Sequence, residues 1–521
     1  MTLAEEGSGR AAYWQPASRT ETVGLLLIIA VGALLRLYWL GAQSLWFDEA
    51  ASVLHARGSF ADVIHSVTIG EGSPPLYFLI LHWMMAFGQS EVVLRLFSAL
   101  VGIVALPLLY LFGRALLGSA AGLISAALLA VSPFALYYAQ EARPYSLLLT
   151  LGIASCYTML LAVERPSRRR WLGYFLVTLA LIYTHYFSFF LIFGQGLVIL
   201  SQAHYRKTAL RNWLLAQLAL LLAFLPWLPY MLAQFGWQSA RGGQTWHPTV
   251  GWLIIPFTFH QFFLGYSAAE IKRVAELLPN AKLLAMSAVG FGLPFAAALS
   301  ALRKEPRAAR WLLLIFGAAF GAALLVDLKV RCYQPTYMAA VMPISVGLLG
   351  TGFSALQRRP LLMIVPAVLV TLLTGFSVHN YYHNPRFARE DWRAAAAYVS
   401  ANAAPQDIIV FHKSWPKAAF DYYYRQGAAE YSLPDQILPA DDPLLKKARV
   451  TLSQHPTVWL VIAHNFDTDS YYLNLMNNWF DQETTKVIRT CRPIAIYRFV
   501  PRAGGQKLSA GHANTGLTGL K

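Results

Sequence analysis

Long apolar runs separated by short polar stretches fill the chain up to about residue 380, and mixed polar sequence follows. A helix that crosses the hydrocarbon of a bilayer needs about 20 apolar residues. Eleven runs approach that length: 21–40, 92–113, 119–138, 145–163, 171–184, 187–203, 213–232, 281–301, 311–328, 335–353 and 360–379. Two further apolar stretches, 74–88 and 251–265, are shorter and hold Pro74, Pro75 and His82 in one and Pro256, His260 and Gln261 in the other.

Charge decides how these runs are threaded. Lys and Arg concentrate on cytoplasmic loops of membrane proteins. The basic clusters are Arg165 with Arg168–Arg170, Arg206 with Lys207 and Arg211, Arg303 with Lys304, Arg307 and Arg310, and Arg358 with Arg359. Placing them all in the cytoplasm with Arg10 and Arg19 requires an even number of crossings between neighbours. Counting 74–88 or 251–265 as a crossing breaks that parity, so both are expected to lie at the outer interface or to be re-entrant. The stretch 171–203 is too long for one span and tight for two, and parity asks for two, turning outward near His185-Tyr186. The N-terminus is then cytoplasmic. The loop 41–91, the loop 233–280 and everything after residue 380 are extracytoplasmic.

The last part of the chain reads as a soluble α/β domain over 386–500. Asp407–Phe411 and Val458–Ile462 have the apolar continuity of buried strands, 390–402 and 415–425 read as helices, and 485–500 reads as a strand pair turning near Arg492-Pro493. The Gly-, Ser- and Asn-containing tail 501–521 has the composition of a disordered segment. Residues 1–385 form the membrane domain in this reading, and no internal repeat is visible.

Composition agrees. Hydrophobic residues make up 56% of the 521 and charged residues 13%, against roughly 25% charged in soluble proteins. A surface that poor in charge excludes a soluble enzyme and a disordered chain. The net charge of +16 reads as cytoplasmic loop charge rather than a nucleic-acid footprint. Cys156, Cys332 and Cys491 are too few and too scattered for a disulfide framework or a zinc site. The first apolar run has no small-residue cleavage site and reads as a true span.

Ionisable groups at membrane depth are costly, so their positions carry information. Here they collect at outer ends of spans: Asp48 and Glu49 after the first, Gln140, Glu141 and Arg143 after the third, His185 and Tyr186 at the next outward turn, and Asp327, Lys329 and Arg331 at another. Each has a plainer reading taken singly. The acidic pair suits a solvated loop, Arg143 a side chain snorkelling to headgroups, His185 a turn, and the Arg331 cluster interfacial anchoring. Together they suit one task. The cations would bind a lipid phosphate or pyrophosphate, and a carboxylate would act as general base on an acceptor hydroxyl. A transport path would need such charges at mid-membrane.

The chain resembles GT-C fold glycosyltransferases, in particular bacterial relatives of dolichyl-phosphate-mannose–protein mannosyltransferases and of the aminoarabinose transferase that acts on lipid A. The stretches that carry the resemblance are Leu45–Ala50 (LWFDEA), Ser73–Tyr77 (SPPLY), Arg95–Leu100 (RLFSAL), Tyr138–Tyr145 (YAQEARPY) and His185-Tyr186, with looser matches at Arg331–Tyr333 and Asp391–Arg393. The expected fold is thus a polytopic helical membrane protein of the GT-C type, with the eleven spans counted above, in the cell membrane. The resemblance implies a sugar donor linked to polyprenyl phosphate and a protein, lipid or glycan acceptor at the extracytoplasmic face. The family's catalytic acid in the first outer loop maps onto Asp48, with Glu49 and Glu141 as further catalytic candidates. Arg143, His185, Tyr186, Lys329 and Arg331 are the candidates for the carrier phosphate. Ser73 stands where the aminoarabinose branch has lysine, which argues against lipid A as acceptor. Some GT-C enzymes use a divalent metal, and Asp48 with Glu141 would be the pair to share one. Two readings from other classes compete: a flippase for lipid-linked saccharides, against which stand the missing repeats and midplane charges, and a non-catalytic envelope scaffold. No glycine-rich phosphate loop follows the C-terminal strands, so that domain is expected to contact acceptor or glycan.

Overall fold

The computed structural model describes residues 17–240, 253–269, 280–463, 469–488 and 493–502. The chain divides into two compact units, 1–389 and 390–521. Arg10, the start of the 251–265 stretch, Cys491, Arg492 and the tail after 502 lie outside the described residues.

The first unit is helical. Its helices are α1 (Arg19–Leu37), α2 (Phe47–His55), α3 (Phe60–Gly70), α4 (Leu76–Met84), α5 (Glu91–Leu117), α6 (Ser119–Ala130), α7 (Pro133–Ala139), α8 (Tyr145–Glu164), α9 (Arg168–Ile182), α10 (Ser188–Ser201), α11 (Leu210–Phe224) and α12 (Leu228–Ala240), followed by α13 (Ile254–Leu264), α14 (Ala281–Leu302), α15 (Pro306–Lys329), α16 (Met342–Leu356) and α17 (Pro360–His383). Among the described residues, seven helical stretches are long and apolar enough to cross a membrane, or eight if the bent pair α6–α7 is one span. The protein is a multi-pass membrane protein. Every one of the eleven expected runs contains a helix, but α9, α10 and α16 have only 15, 14 and 15 residues. At 1.5 Å rise each covers about 21–23 Å, short of a hydrocarbon core of about 30 Å.

Three local departures from the expected spans shape the site. The run 119–138 bends by 58° between α6 and α7. Pro133 starts α7 and lacks the N–H that would continue α6, and the carbonyls freed at the break are met by Arg36, which donates to Leu129 O at 3.1 Å and Ala130 O at 3.0 Å. The run 335–353 becomes helical only from Met342, with Pro343 in its first turn. The residues before it form a short 3-10 turn, Pro335–Met338, whose Tyr337 ring lies 6.3 Å from the ring of Tyr145 at the start of α8. A Cβ on Gly152 of α8 would lie 2.5 Å from Ala340 O, so only glycine permits that approach. The loop 41–91 holds three helices, α2, α3 and α4, where one was expected at 74–88. Ser59 and Asp62 form a reciprocal cap at the start of α3, with Asp62 Oδ2 accepting from Ser59 N–H at 2.7 Å.

The second unit is an α/β fold. Its helices are α18 (Trp392–Asn402), α19 (Lys417–Tyr423), α20 (Pro443–Leu452) and α21 (Asp469–Trp479). Its strands are β1 (Ile408–Phe411), β2 (Ala429–Ser432), β3 (Val458–Ala463), β4 (Phe480–Ile488) and β5 (Ile494–Pro501), in sheet order β2-β1-β3-β5-β4. β2, β1 and β3 are parallel, and β5 runs antiparallel to both β3 and β4. The fully buried β1 and β3 are the strands with continuous apolar sequence. β2, α20 and α21 were not anticipated. β2 is a four-residue edge strand with no fully buried position, so no apolar run marks it.

Candidate functional site

The ends of α1, α5, α7, α8 and α17 meet in one polar layer, and its centre is Glu49. This carboxylate accepts from Arg95 Nε and Nη2 at 2.7 Å each, from Arg389 Nη1 at 3.2 Å and from Ala142 N–H at 2.9 Å. Arg95 also donates to the carbonyls of Leu40, Gln43 and Ser44, fixing the loop that leads into α2. Arg389 rests over the Tyr137 ring at 4.7 Å. Burial by itself would raise the Glu49 pKa, but the Arg95 and Arg389 charges and these donors outweigh it and hold the carboxyl below its ordinary value. With these donors, the Trp46 N–H at 3.5 Å as a fifth, and no exposed surface, Glu49 has the geometry of a strut.

Glu141 is the opposite case at the same depth. Its Oε1 accepts from Trp46 Nε1 at 2.9 Å, while its buried Oε2 has no partner among the described residues. Burial is the main cause that pushes its pKa up to about 8. The neighbouring carboxylates of Glu49 and Asp48 push the same way, against Arg389 and Arg143. Glu141 therefore carries its proton at neutral pH. Asp48, half-buried in the first turn of α2, is close enough to act electrostatically on both Glu141 and Arg143.

Arg143 lies in the same cluster, but it is not a free cation. Its Nη1 donates to Glu71 at 2.5 Å and to Ser52 Oγ at 3.2 Å, while its Nε is buried without a partner among the described residues. Burial alone would raise the Glu71 pKa, and the Arg143 charge brings it below its ordinary value. His185 sits by this pair. Its Nδ1 accepts from Phe187 N–H at 3.2 Å, which leaves the proton on Nε2. Burial, aided by the Arg143 charge, lowers its pKa to about 3, so it is a neutral donor. The ring packs on Tyr337 at 4.9 Å between centroids, and a second hydroxyl cluster joins Tyr138, Tyr266 and Thr336, with Tyr138 and Thr336 oxygens 2.6 Å apart.

The remaining expected phosphate ligands are elsewhere. The Tyr186 hydroxyl accepts from Trp227 Nε1 at 2.9 Å and donates to Gln234, whose amide donates to Val67 O and Ser73 O. That network ties α3 to α12. Lys329 and Arg331 are exposed at the end of α15, with Arg331 in the left-handed region at φ 50°. Neither has a side-chain hydrogen bond or ion pair among the described residues. Sequence reasoning did not single out Glu71, Arg389 or Tyr337. Each is one half of a contact whose other half lies at least 72 residues away in the chain, so no local signal marks it.

A shared metal fits poorly here. Asp48 and a protonated Glu141 are two carboxyls, and no group of three or more metal-ligating side chains is gathered among the described residues.

Residues 72–230 match the family described as dolichyl-phosphate-mannose-protein mannosyltransferase. No curated protein matches the chain in sequence. Among solved structures, ArnT from Cupriavidus metallidurans in the apo state is similar with a TM-score of 0.56 and 15% identity, over 91% of this chain and 98% of that one. The same protein bound to undecaprenyl phosphate gives 0.54 and 15% over 92% and 98%. The archaeal oligosaccharyltransferase AglB from Archaeoglobus fulgidus, in complex with an inhibitory peptide and a dolichol-phosphate, gives 0.53 and 12% over 89% and 73%. The chain is a multi-pass membrane protein with the GT-C glycosyltransferase fold and a mannosyltransferase-like segment.

Proposed function

We propose that the protein transfers a sugar from a polyprenyl-phosphate carrier to a hydroxyl of a protein, lipid or glycan acceptor on the extracytoplasmic face, with Asp48 as general base. The observation that carries this reading is a pair of neighbouring carboxyls in unlike surroundings. Glu141 is held protonated with a buried, unpartnered oxygen, and Asp48 stands beside it at the start of a helix on a half-exposed loop. Environments that push neighbouring carboxyls apart separate acid and base roles. The undecaprenyl phosphate and dolichol-phosphate bound by two proteins of similar fold support the class of donor.

In this mechanism the acceptor hydroxyl gives its proton to the Asp48 carboxylate as its oxygen bonds to the sugar C1. The bond from C1 to the phosphate oxygen breaks with its electron pair, and the polyprenyl phosphate leaves as an anion. The Glu141 O–H, Arg143 and the Nε2–H of His185 supply hydrogen bonds to that anion. Glu49 is a positioning residue that holds α2 and the turn at Ala142 together. Tyr186 supports the scaffold, and Lys329 and Arg331 face headgroups. All basic clusters between α8 and α9, α10 and α11, α14 and α15, and α16 and α17 then lie in the cytoplasm, and 386–500 lies outside as a domain for acceptor or glycan.

The test is turnover on a panel of polyprenyl-phosphate sugars with mass-spectrometric product detection, measured beside donor affinity. Asp48→Asn keeps the shape and removes the basicity, so turnover is expected to fall at least about a hundredfold with donor affinity retained. Near-normal turnover in Asp48→Asn would dismiss Asp48 as the base.

A further inference from the structure

Two helix ends meet beside the candidate site, and each is closed by a side chain from the other. α1 ends at Leu37 and α6 breaks at Ala130. The last carbonyls of a helix have no partner within it, and inside a bilayer water cannot supply one. Arg36 of α1 closes α6, with Nη1 donating to Ala130 O at 3.0 Å and Nη2 to Leu129 O at 3.1 Å. Gln140, just past α7, closes α1 in return. Its Nε2 shares its hydrogens among Tyr38 O at 2.7 Å, Arg36 O at 3.0 Å and Leu35 O at 3.3 Å.

Both side chains are buried. Arg36 adds a bond to Gly32 O at 3.1 Å and has no ion pair among the described residues. An ionisable residue inside a span is costly and carries a functional reading. Glycine makes room for it: a Cβ on Gly102 of α5 would lie 3.2 Å from Arg36 Nε and 3.0 Å from Ala139 Cβ at the end of α7. Gln140 reaches further. Its Oε1 accepts from the Tyr381 hydroxyl of α17 at 3.0 Å, and its carbonyl accepts from Arg389 Nη1 at 2.9 Å. One residue thus ties α1, α7 and α17 together.

The next residue along the chain is Glu141. The segment 140–142 is pinned at each position: Gln140 by the bonds above, Glu141 by Trp46 Nε1, and Ala142 N–H by Glu49. Burial is the main cause that keeps the proton on Glu141, and that burial lasts only while the segment stays seated. The charges that face the carboxyl are Asp48 and Glu49 of α2, Arg143 ahead of α8 and Arg389 after α17. The phenols of Tyr77, Tyr138, Tyr145 and Tyr381 are close enough to act on it as well. Loosening the segment admits water, which favours the ionised carboxyl.

We propose that Arg36 and Gln140 form a reciprocal clamp that seats Glu141, and that both are positioning residues in the transfer proposed above, on which this role rests. Neither handles the reacting atoms. Their effect reaches the chemistry through the burial of one carboxyl.

The test compares the full chain in detergent with Gln140→Met, which keeps the length of the side chain and removes its donors and its acceptor. Two pH series are read, melting temperature and turnover on the polyprenyl-phosphate sugars, with Glu141→Gln marking the limb of each that belongs to Glu141. That limb ends where the folded carboxyl titrates, at about 8. In Gln140→Met it is expected to move down by about one pH unit, a roughly tenfold weaker hold on the proton. Lost hydrogen bonds alone would lower the whole melting series and leave the limb in place. Arg36→Lys keeps the charge and loses the planar fork. It should move the limb the same way by less, and it serves if Gln140→Met fails to unfold cooperatively. A limb that stays at its wild-type pH overturns the clamp. A melting limb that moves while the turnover limb stays overturns the positioning role in transfer. If the wild-type protein transfers no sugar, the proposed function fails, and the melting series still decides the clamp.

Discussion

The two ends of the helical unit treat charge differently. At the end with the candidate site, charges are buried and held by several partners each: Glu49 takes Arg95 and Arg389 at side-chain exposures of 0%, 2% and 4%. At the other end, Arg114 and Glu21 meet at 3.4 Å with 14% and 22% of their side chains exposed, and the basic clusters flanking α9 and α15 point largely into solvent. A charge removed from water without a matched partner is far more costly than a screened one. The first end is thus built to hold geometry, and the second carries charge that needs only water and the sign of its neighbours.

Breaking each end should expose that difference. The largest effect is expected from Glu49→Ala, which leaves two buried guanidinium groups without their carboxylate. A loss of about 3–5 kcal/mol should appear in thermal or denaturant unfolding, and an unchanged transition would mean that the cluster is not a strut. Next comes Arg143→Ala. If Arg143 holds the carrier phosphate, donor affinity should fall by about one to two decades, or ~1.5–3 kcal/mol, with only partial rescue by Lys. Because the substitution also strands Glu71, the double variant Arg143→Ala/Glu71→Gln separates the two effects. It should restore stability and leave donor affinity low.

Glu141→Gln sharpens the comparison through pH. The folded carboxyl titrates at about 8 against an ordinary 4.5, so between those values the folded state binds the extra proton. Stability from this group is complete below pH 4.5 and is lost as pH rises through 8. Glutamine, which cannot ionise, should flatten that decline in a series of melting temperatures. An unchanged slope would mean that Glu141 is not held protonated. The smallest effect is expected from Arg114→Ala at the other end, at most about 1 kcal/mol and weaker in salt.

How the site could be read from sequence follows the same division. The pile-up of Asp48, Glu141, Arg143 and His185 at one depth was legible, because apolar runs set the crossings and the polar residues fall at their ends. Which of them act together was not. Asp48 and Glu49 are neighbours of like charge, and only the arrival of Arg95, Arg389 and the Ala142 N–H distinguishes them. Tyr186 and His185 are adjacent too, and the hydroxyl of one is taken up by Trp227 and Gln234 while the ring of the other lies against Tyr337. The helices α2 and α3 escaped notice because they are 9 and 11 residues long. Isolated helices that short are marginal in water and depend on tertiary packing.

The sequence by itself determined that the chain enters a bilayer repeatedly and that an α/β sheet follows. The reason is that runs of apolar residues, their length and their flanking charge act locally against solvent or lipid. Only the tertiary structure decided which ions pair, where α6 and α7 bend and which carboxyl keeps its proton. These depend on the dielectric around each group and on partners such as Arg389 and Glu49, separated by 340 residues, and neither quantity is written in any local stretch of the chain.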